Sequence, residues 1–291
     1  MDRVPGPATL AALCAALLLA CGHAPRWGDP KDLVASRPYR VLVPPSYARG
    51  RPAPLVVLLH GYGSSGAAQL AYFGFAQLSA ARGVLVAYPD GSLDRAGRRF
   101  WNAADVYGSD VDDVAYLSAV LDDLEARYDV DRGRVFLVGH SNGAFMAQRM
   151  ACELSTRVRG VVALAGDAWM GAPRCKPSAP VPVLQVHGDA DKVIPYGGGL
   201  ALVTEVAVPS APQSIATWAA WNGCSGGLAA TGEPPLDLDA RVPGAETRRE
   251  RWSCSAGAAE LWTMEGGGHV PALRVPAFGD VALDWLQAHA R

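Results

Sequence analysis

The chain has 291 residues, half of them hydrophobic, with 26 basic and 28 acidic side chains. That length suits a single α/β domain with a large core. A net charge of −2 without a basic stripe argues against a nucleic-acid-binding surface and against a polybasic surface for anionic lipid. We therefore expect a monomer with a small, neutral or weakly charged ligand, no cofactor and no metal.

The first twenty residues have the features of an export signal. Arg3 precedes an apolar run, Leu10–Ala20, that is too short to span a bilayer as a helix. The run ends Leu18-Leu19-Ala20-Cys21, which resembles the lipobox of bacterial lipoproteins, where Cys21 would be acylated and become the first mature residue. An ordinary cleaved signal with a chance cysteine is the alternative. The predicted segments are a signal peptide (1–20), a Pro- and Gly-rich tether (21–36) and a globular domain (37–291).

Strand-like and helix-like segments alternate along the globular part, which is typical of a mostly parallel sheet flanked by helices. The apolar run Pro54–Leu59 must be buried on both faces. The clearest helix begins near Ser109 and carries Asp112 and Asp113 in its first turn, where the helix dipole favours acidic side chains. The other predicted elements are strands over 40–43, 83–88, 134–138, 161–164, 183–186 and 260–264, a hairpin over 236–252 near the sheet edge, and a last helix over 280–289.

One pentapeptide, Gly139-His140-Ser141-Asn142-Gly143, lies between an apolar strand and a helix-like segment. A serine held in a sharp strand-to-helix turn needs small residues two positions before and after it, because larger side chains would collide with the adjoining strand and helix. Gly139 and Gly143 meet that requirement. The pattern predicts that Ser141 is a nucleophile on an elbow.

A serine nucleophile needs a base to take its proton and a carboxylate to orient that base. His269 follows three glycines, 266–268, after the last predicted strand, and its late position is the one that an α/β-hydrolase requires of its base. His60 and His187 each end a strand before a glycine. His140 is next to the serine, so its side chain should leave the backbone in another direction. We therefore choose His269 as the base.

The acid is sought in the loop after the strand 183–186. Asp191 is our choice, and Asp189 is the alternative, because an Asp beside glycine usually bonds the backbone of its own turn. The order Ser141, Asp191, His269 predicts the α/β-hydrolase fold, a mostly parallel central sheet with helices on both sides.

An oxyanion hole needs backbone N–H groups directed at the carbonyl oxygen that becomes negative. Asn142, the residue after the nucleophile, should supply one. Tyr62, in the glycine-containing loop that follows the early buried strand, should supply the other. A plain strand-ending turn is the alternative reading of that loop.

Six cysteines are present, and Cys14 and Cys21 fall in the signal. Four cysteines in an exported domain suggest two disulfide bonds, which can connect in three ways. We prefer the sequential pairs, Cys152 with Cys175 and Cys224 with Cys254, because each closes a local loop beside a presumed strand. Free buried thiols are the alternative.

Seven motifs carry a family resemblance. They are His60-Gly61, Phe100-Trp101-Asn102, Val111-Asp112-Asp113-Val114, Tyr128-Asp129-Val130-Asp131 before Arg134-Val135, the serine elbow, His187-Gly188-x-x-Asp191 with Pro195-Tyr196, and Gly266-Gly267-Gly268-His269. Together they resemble the polyhydroxybutyrate depolymerase and feruloyl esterase group, which includes acetylxylan esterases and bacterial lipoprotein esterases. The resemblance spans about residues 37–275. It implies a carboxylester hydrolase acting on small or oligomeric hydroxyalkanoate, hydroxycinnamoyl or acetyl esters.

The chain departs from that group beside the catalytic histidine. Members often have a Trp-Pro pair there, whereas Val270-Pro271 follows His269, so this wall of the pocket differs. Trp101 and Trp169 are predicted to stack on an aromatic acyl group or a sugar, with a core position as the alternative for each.

Two other functions are compatible with the same features. A surface lipoprotein could keep the fold as a non-catalytic binding domain, although such a protein has no need of Ser141, Asp191 and His269 together. An exported serine peptidase could use the same three residues, although we find no extra domain that would gate a peptide substrate. The esterase is the expectation that the sequence favours.

Overall fold

The computed structural model describes residues 30–104, 109–168 and 176–290. Cys21, Trp169 and Cys175 lie outside these residues, so the predicted signal, lipid anchor, second tryptophan contact and Cys152–Cys175 bond stay predictions. The helices are α1 Pro30–Ser36, α2 Gly66–Phe73, α3 Phe75–Arg82, α4 Asp113–Arg127, α5 Asn142–Glu153, α6 Ala211–Trp221 and α7 Ala277–His289. The strands are β1 Arg40–Leu42, β2 Ala53–Leu59, β3 Leu85–Tyr88, β4 Ser92–Leu93, β5 Arg99–Phe100, β6 Val130–His140, β7 Gly160–Leu164, β8 Val183–Gly188, β9 Gly199–Leu200, β10 Ala207–Val208, β11 Ser225–Ala230, β12 Thr247–Ser253 and β13 Ala259–Met264.

Nine of these strands form one sheet in the order β1-β3-β2-β6-β7-β8-β13-β12-β11. The six strands from β3 to β13 run parallel, and the strands at both edges are antiparallel to their neighbours. This is the mostly parallel sheet that the sequence predicts. The turn after β6 lies where the strand order reverses, which is where open α/β sheets place their ligand sites.

The sheet separates two hydrophobic clusters, and its central strands contribute alternate residues to each. In β2, Leu55 and Leu59 face the cluster that contains α4, α5 and α6. Val56 and Leu58 face the cluster that contains α2, α3 and α7. All four are completely buried, as expected for a strand covered on both faces.

The two acidic residues at the start of α4 have different roles. Asp112 is the N-cap, since its carboxylate accepts the N–H of Ala115 at 2.8 Å. Asp113 is buried, is paired with Arg37 at 2.7 Å and accepts the N–H of Asn102 at 2.6 Å. The capping prediction is therefore confirmed for Asp112, while Asp113 joins α4 to two other parts of the chain.

Three details of the sequence analysis differ from the structure. The hairpin over 236–252 is reduced to one antiparallel bridge between Leu236 and Thr247, because β12 pairs along its length with β11 and β13. Strand β11 was missed, since its sequence Ser-Gly-Gly-Leu-Ala-Ala has little intrinsic preference for a strand. Residues 30–36, which were assigned to the tether, form α1 and pack on the core through Leu33 and Val34.

The predicted bond between Cys224 and Cys254 is present. It joins the end of α6 to the end of β12, and its presence excludes the other two connectivities of the four cysteines. The chain-entropy estimate for a loop of this size, 30 residues apart in sequence, is about 3 to 4 kcal/mol of stability. Among the described residues, no helix is both long and apolar enough to span a bilayer.

Candidate active site

Ser141 lies in the sharp turn between β6 and α5. Its backbone has φ 53° and ψ −121°, a combination that residues other than glycine rarely adopt. A Cβ on Gly139 would lie 2.2 Å from the carbonyl oxygen of Gly143, and a Cβ on Gly143 would lie 2.1 Å from that of Leu59. Only glycine fits at both positions, as the elbow pattern predicts. Backbone strain of this kind is concentrated at functional sites.

Hydrogen bonds join the three side chains that were predicted to act together. Oγ of Ser141 lies 2.9 Å from Nε2 of His269, and Nδ1 of His269 lies 2.8 Å from Oδ2 of Asp191. The three residues follow β6, β13 and β8, whose carboxyl ends meet at one edge of the sheet. The Asp191 side chain is fully buried and that of His269 is 13% exposed, so only the imidazole of this pair reaches solvent.

Four donors surround the carboxylate of Asp191. Oδ1 accepts the backbone N–H groups of Val193 at 2.7 Å and Ile194 at 3.0 Å. Oδ2 lies within hydrogen-bond distance of His269 and, at 3.2 Å, of Nε2 of His187. Burial alone would raise the pKa of Asp191, but the hydrogen bonds from the two histidines hold it well below its usual range. The carboxylate is therefore ionised at neutral pH.

Asp189, the alternative acid, has a different partner. Its Oδ1 accepts the N–H of Gly266 at 2.6 Å, at the start of the glycine loop that leads to His269. Asp189 is exposed, whereas Asp191 is buried. The carboxylate of Asp189 thus braces a turn, and Asp191 is the acid bonded to the histidine.

Two further side chains hold the loop that carries His269. Nε2 of His140 bonds the carbonyl oxygen of His269 at 2.9 Å, and the hydroxyl of Tyr72 donates to the carbonyl oxygen of Pro271 at 3.0 Å. Burial, reinforced by the nearby imidazole of His269, lowers the pKa of His140 to about 4. His140 is therefore neutral at pH 7 and donates through Nε2. We had expected its side chain to point away from the site.

Both predicted oxyanion-hole residues line the cleft at Ser141. Asn142 begins α5, and its side chain bonds the backbone of Trp101 in both directions, accepting its N–H at 2.6 Å and donating to its carbonyl at 2.8 Å. Tyr62 follows β2, and its hydroxyl donates to Asp94 at 2.5 Å. Separate contacts thus hold the two residues at the cleft.

His60 supports the loop that carries Tyr62. It is completely buried, and its Nε2 accepts the N–H of Gly91 at 2.9 Å. Nδ1 therefore carries the ring proton and donates to the carbonyl oxygen of Gly61 at 2.8 Å. Burial lowers the pKa of His60, so this histidine is neutral and acts as a brace.

A narrow cleft of about 50 Å³ opens at Ser141. Its wall is almost entirely apolar, and one side is formed by the segment 201–208, which includes β10. Val203 from this segment is 54% exposed at the mouth. The lining residues are Tyr62, Ala103, Ala104, Ser141, Asn142, Phe145, Val193, Ile194, Ala201, Val203, Thr204, Val206 and Val208.

Trp101 does not take the predicted substrate-stacking position. Its side chain is completely buried, its Nε1–H donates to the carbonyl oxygen of His60 at 3.0 Å, and Arg37 lies over its ring. The structure gives this tryptophan a core position, where its large ring supports the loop after β2 and its backbone holds Asn142.

A polar cluster behind Asp191 was missed by the sequence analysis, which considered His187 only as an alternative base. Gln185 and His187 lie on β8, two residues apart and therefore on the same face of the strand. They meet Asp167, which follows β7, and all three are completely buried. The spacing His187-Gly188-x-x-Asp191 is the signal that could have indicated a link between this histidine and the acid.

Comparison with known proteins agrees with this architecture. The phospholipase/carboxylesterase family matches residues 109–206. Feruloyl esterase B of Piromyces equi is 27% identical over 84% of the chain, and the chain spans only 43% of that protein's length. Feruloyl esterase D of Neurospora crassa is 27% identical, with 84% of the chain and 78% of that protein covered.

A solved structure supports the fold. The acetyl xylan esterase from Aspergillus awamori superposes with a TM-score of 0.58 at 18% identity, over 86% of this chain and 93% of that one. The chain therefore has the α/β-hydrolase fold, and its sequence resembles the feruloyl esterase group.

Proposed function

We propose that the protein is an exported serine carboxylester hydrolase that works through an acyl-enzyme. The observation that carries the proposal is the continuous hydrogen-bond chain from Ser141 through His269 to Asp191, with distances of 2.9 and 2.8 Å. A serine, an imidazole and a buried carboxylate in this arrangement form the apparatus of nucleophilic acyl transfer.

The proposed reaction has two halves. Oγ of Ser141 attacks the ester carbonyl carbon while Nε2 of His269 takes the hydroxyl proton, and the backbone N–H groups of Tyr62 and Asn142 stabilise the oxyanion. Collapse of the tetrahedral intermediate breaks the ester C–O bond, and the alcohol leaves with the proton from His269. Water then attacks the acyl-serine by the same route, which releases the acid and restores Ser141.

The cleft supports a small acyl group. About 10 to 15 Å³ accommodates one water-sized group, so a cleft of about 50 Å³ has room for a short chain only. Among the described residues, its wall carries no charged side chain that could pair with the substrate. We infer that acetyl and hydroxyalkanoyl esters are better substrates than hydroxycinnamoyl esters, while the alcohol part extends toward solvent.

A hydrolysis screen tests the proposal. Acetylated xylan, short p-nitrophenyl esters, hydroxybutyrate oligomers and methyl ferulate are offered to the wild-type protein and to Ser141→Ala. We expect the variant to lose several orders of magnitude in kcat while it keeps the wild-type melting temperature. Ser36→Ala, a change of an exposed serine in α1, is the matched control and should retain full activity. A Ser141→Ala protein with a tenth of the wild-type rate would overturn the proposal.

The same screen separates the alternatives. A binding domain would hydrolyse none of the esters, and a peptidase would also cleave peptides and p-nitroanilides, which an esterase leaves intact.

Export is proposed from the segment Leu18–Cys21, which lies outside the described residues. We expect a labelled fatty acid to enter the wild-type protein in a bacterial host and to be absent from Cys21→Ser. If the wild type carries no label, the lipid anchor is excluded, and secretion without an anchor is the remaining hypothesis.

A further inference from the structure

A second imidazole contacts the carboxylate of Asp191, on the side away from the cleft. Nε2 of His187 lies 3.2 Å from Oδ2 of Asp191 and 3.0 Å from the carbonyl oxygen of Ile194. An ionised carboxylate and a carbonyl are acceptors only. Nε2 of His187 must therefore carry a proton, and it donates to the same oxygen that receives Nδ1–H of His269.

The other edge of the His187 ring faces a buried acid. Nδ1 lies 3.4 Å from Nε2 of Gln185, whose amide group also donates to Oδ1 of Asp167 at 2.5 Å, and 3.8 Å from that carboxylate oxygen. Oδ2 of Asp167 and Oε1 of Gln185 have no hydrogen-bond partner among the described residues. Burial, the largest influence, raises the pKa of Asp167 to about 6, although His187 opposes that rise.

A cluster of this kind is costly to bury. An acid, an amide and an imidazole without access to water lose hydration that hydrogen bonds replace only in part, and apolar side chains of similar volume would stabilise such a position at least as well. All three residues are completely buried, so the cluster cannot touch a substrate. In the part of the chain that the structure describes, the cluster meets the hydrogen-bond chain of the active site through Asp191.

We propose that His187 is a positioning residue for the catalytic acid, with Gln185, which Asp167 holds, orienting its ring. Two backbone N–H groups fix Oδ1 of Asp191, and two imidazoles share Oδ2, so the carboxylate can neither rotate nor concentrate its charge on His269 alone. The inference rests on the proposed function, because it gives His187 a role only if His269 acts as the base.

Replacement of the imidazole tests the proposal. In His187→Phe the donor to Oδ2 is lost, and we expect kcat to fall by about 10- to 100-fold with little change in KM, the range that corresponds to one hydrogen bond to a charged group. The charge of Asp191 would then act more strongly on the protonated form of His269. We expect the acid limb of the kcat/KM profile to move upward by about one pH unit.

His187→Gln is the conservative variant. Its side-chain amide can donate to the same oxygen, so it should recover most of the rate and return the acid limb to its wild-type position. The titratable groups that face His187 are Asp191, His269, Asp167 after β7, His140 at the end of β6 and Tyr196, and none of them is changed by this substitution.

Two control variants separate a loss of folding from a loss of positioning. If the unpaired Asp167 prevents His187→Phe from folding, the double variant with Asp167→Asn removes the buried charge and should show the same loss of kcat and the same shift of the limb. Val162→Ala, a core change that does not touch the cluster, should lower the melting temperature but leave the profile unchanged. A role in stability alone would make the His187 variants behave like Val162→Ala.

An NMR measurement separates this inference from the proposed function. The Nδ1–H resonance of His269 should change its chemical shift in His187→Phe and return in His187→Gln, whether or not an ester is hydrolysed. An active wild type whose profile and resonance are both unaffected by His187→Phe would overturn the inference alone. Loss of the proposed function would instead appear as a wild type without esterase activity.

Discussion

The surroundings of Ser141 differ in polarity on its two sides. On one side, His269 and Asp191 continue into buried polar groups, and each is held by several hydrogen bonds. On the other side, most of the described residues that line the cleft are apolar, including the segment 201–208, and Val203 is 54% exposed.

This difference separates two tasks. Proton transfer tolerates little displacement of the base or the acid, because the two act only within hydrogen-bond distance. On the polar side, several hydrogen bonds hold each of these groups in place. Binding of an acyl chain depends on shape and apolar area, so the cleft side can change without damage to the chemistry. Substitutions on the polar side should therefore reduce turnover for every ester, whereas those on the cleft side should alter the choice of ester.

The largest effect should come from Asp191→Asn. Oδ1 accepts two backbone N–H groups, so the amide oxygen must take that position and the NH2 group must replace Oδ2. That group would face Nδ1 of His269, which could then only accept, and the proton would move to Nε2 beside Ser141. A base in that tautomer cannot take the serine proton, and we expect kcat to fall about 10⁴-fold.

The matched control is Asp189→Asn. Its side-chain oxygen can still accept the N–H of Gly266, so activity on the same p-nitrophenyl ester should stay within about twofold of wild type. Circular dichroism would verify that both variants are folded. Loss of activity in Asp189→Asn with its retention in Asp191→Asn would reverse the assignment of the acid.

A smaller effect, on stability, should come from His140. Its pKa is about 4 in the folded protein and 6.5 as the ordinary value, so above pH 6.5 it is neutral whether the chain is folded or not. Between pH 6.5 and 4 only the unfolded chain takes up the proton, and folding stability is lost as pH falls. The loss is on the order of 3 kcal/mol by pH 4.

His140→Gln isolates this contribution. Glutamine can keep the donor to the carbonyl of His269 but does not titrate, so the variant should lose less stability than wild type between pH 7 and pH 4.5. Urea unfolding at the two pH values gives the difference, and the pH 7 measurement alone reports any cost of repacking. An equal pH dependence of the unfolding free energy in both proteins would show that folding does not lower the pKa of His140.

Local patterns were sufficient to predict the elbow, the order of the three catalytic candidates and the central strands. The elbow and the strands depend on residues close in sequence, namely two glycines around Ser141 or an apolar run long enough for a buried strand. The order of the three candidates follows instead from the chain order that this fold requires. The bond between Cys224 and Cys254 was also predictable, since it closes a short loop.

Contacts between distant parts of the chain were not predictable. The bond from His140 to the carbonyl of His269 spans 129 residues, and nothing in the elbow itself indicates which loop will lie against it. The burial of Trp101 likewise depends on contacts with Arg37 and His60, and a hydropathy pattern does not predict these contacts. An aromatic residue beside a site can line the cleft or support it, and only the packing distinguishes the two.

The smallest effect should come from the cleft side, and it tests the division of tasks directly. Val203 lines the mouth of the cleft and is 54% exposed, whereas its neighbour Leu202 is 68% exposed and is not among the lining residues. Val203→Trp should narrow the entrance and lower kcat/KM for methyl ferulate about tenfold, the scale of a change of one or two groups in a hydrophobic pocket. An acetyl ester should be affected much less, because its acyl group extends only a short way beyond Ser141.

Leu202→Trp adds the same ring outside the cleft and should change neither rate. Equal losses for both esters in Val203→Trp would mean that this side of the serine also controls the chemistry.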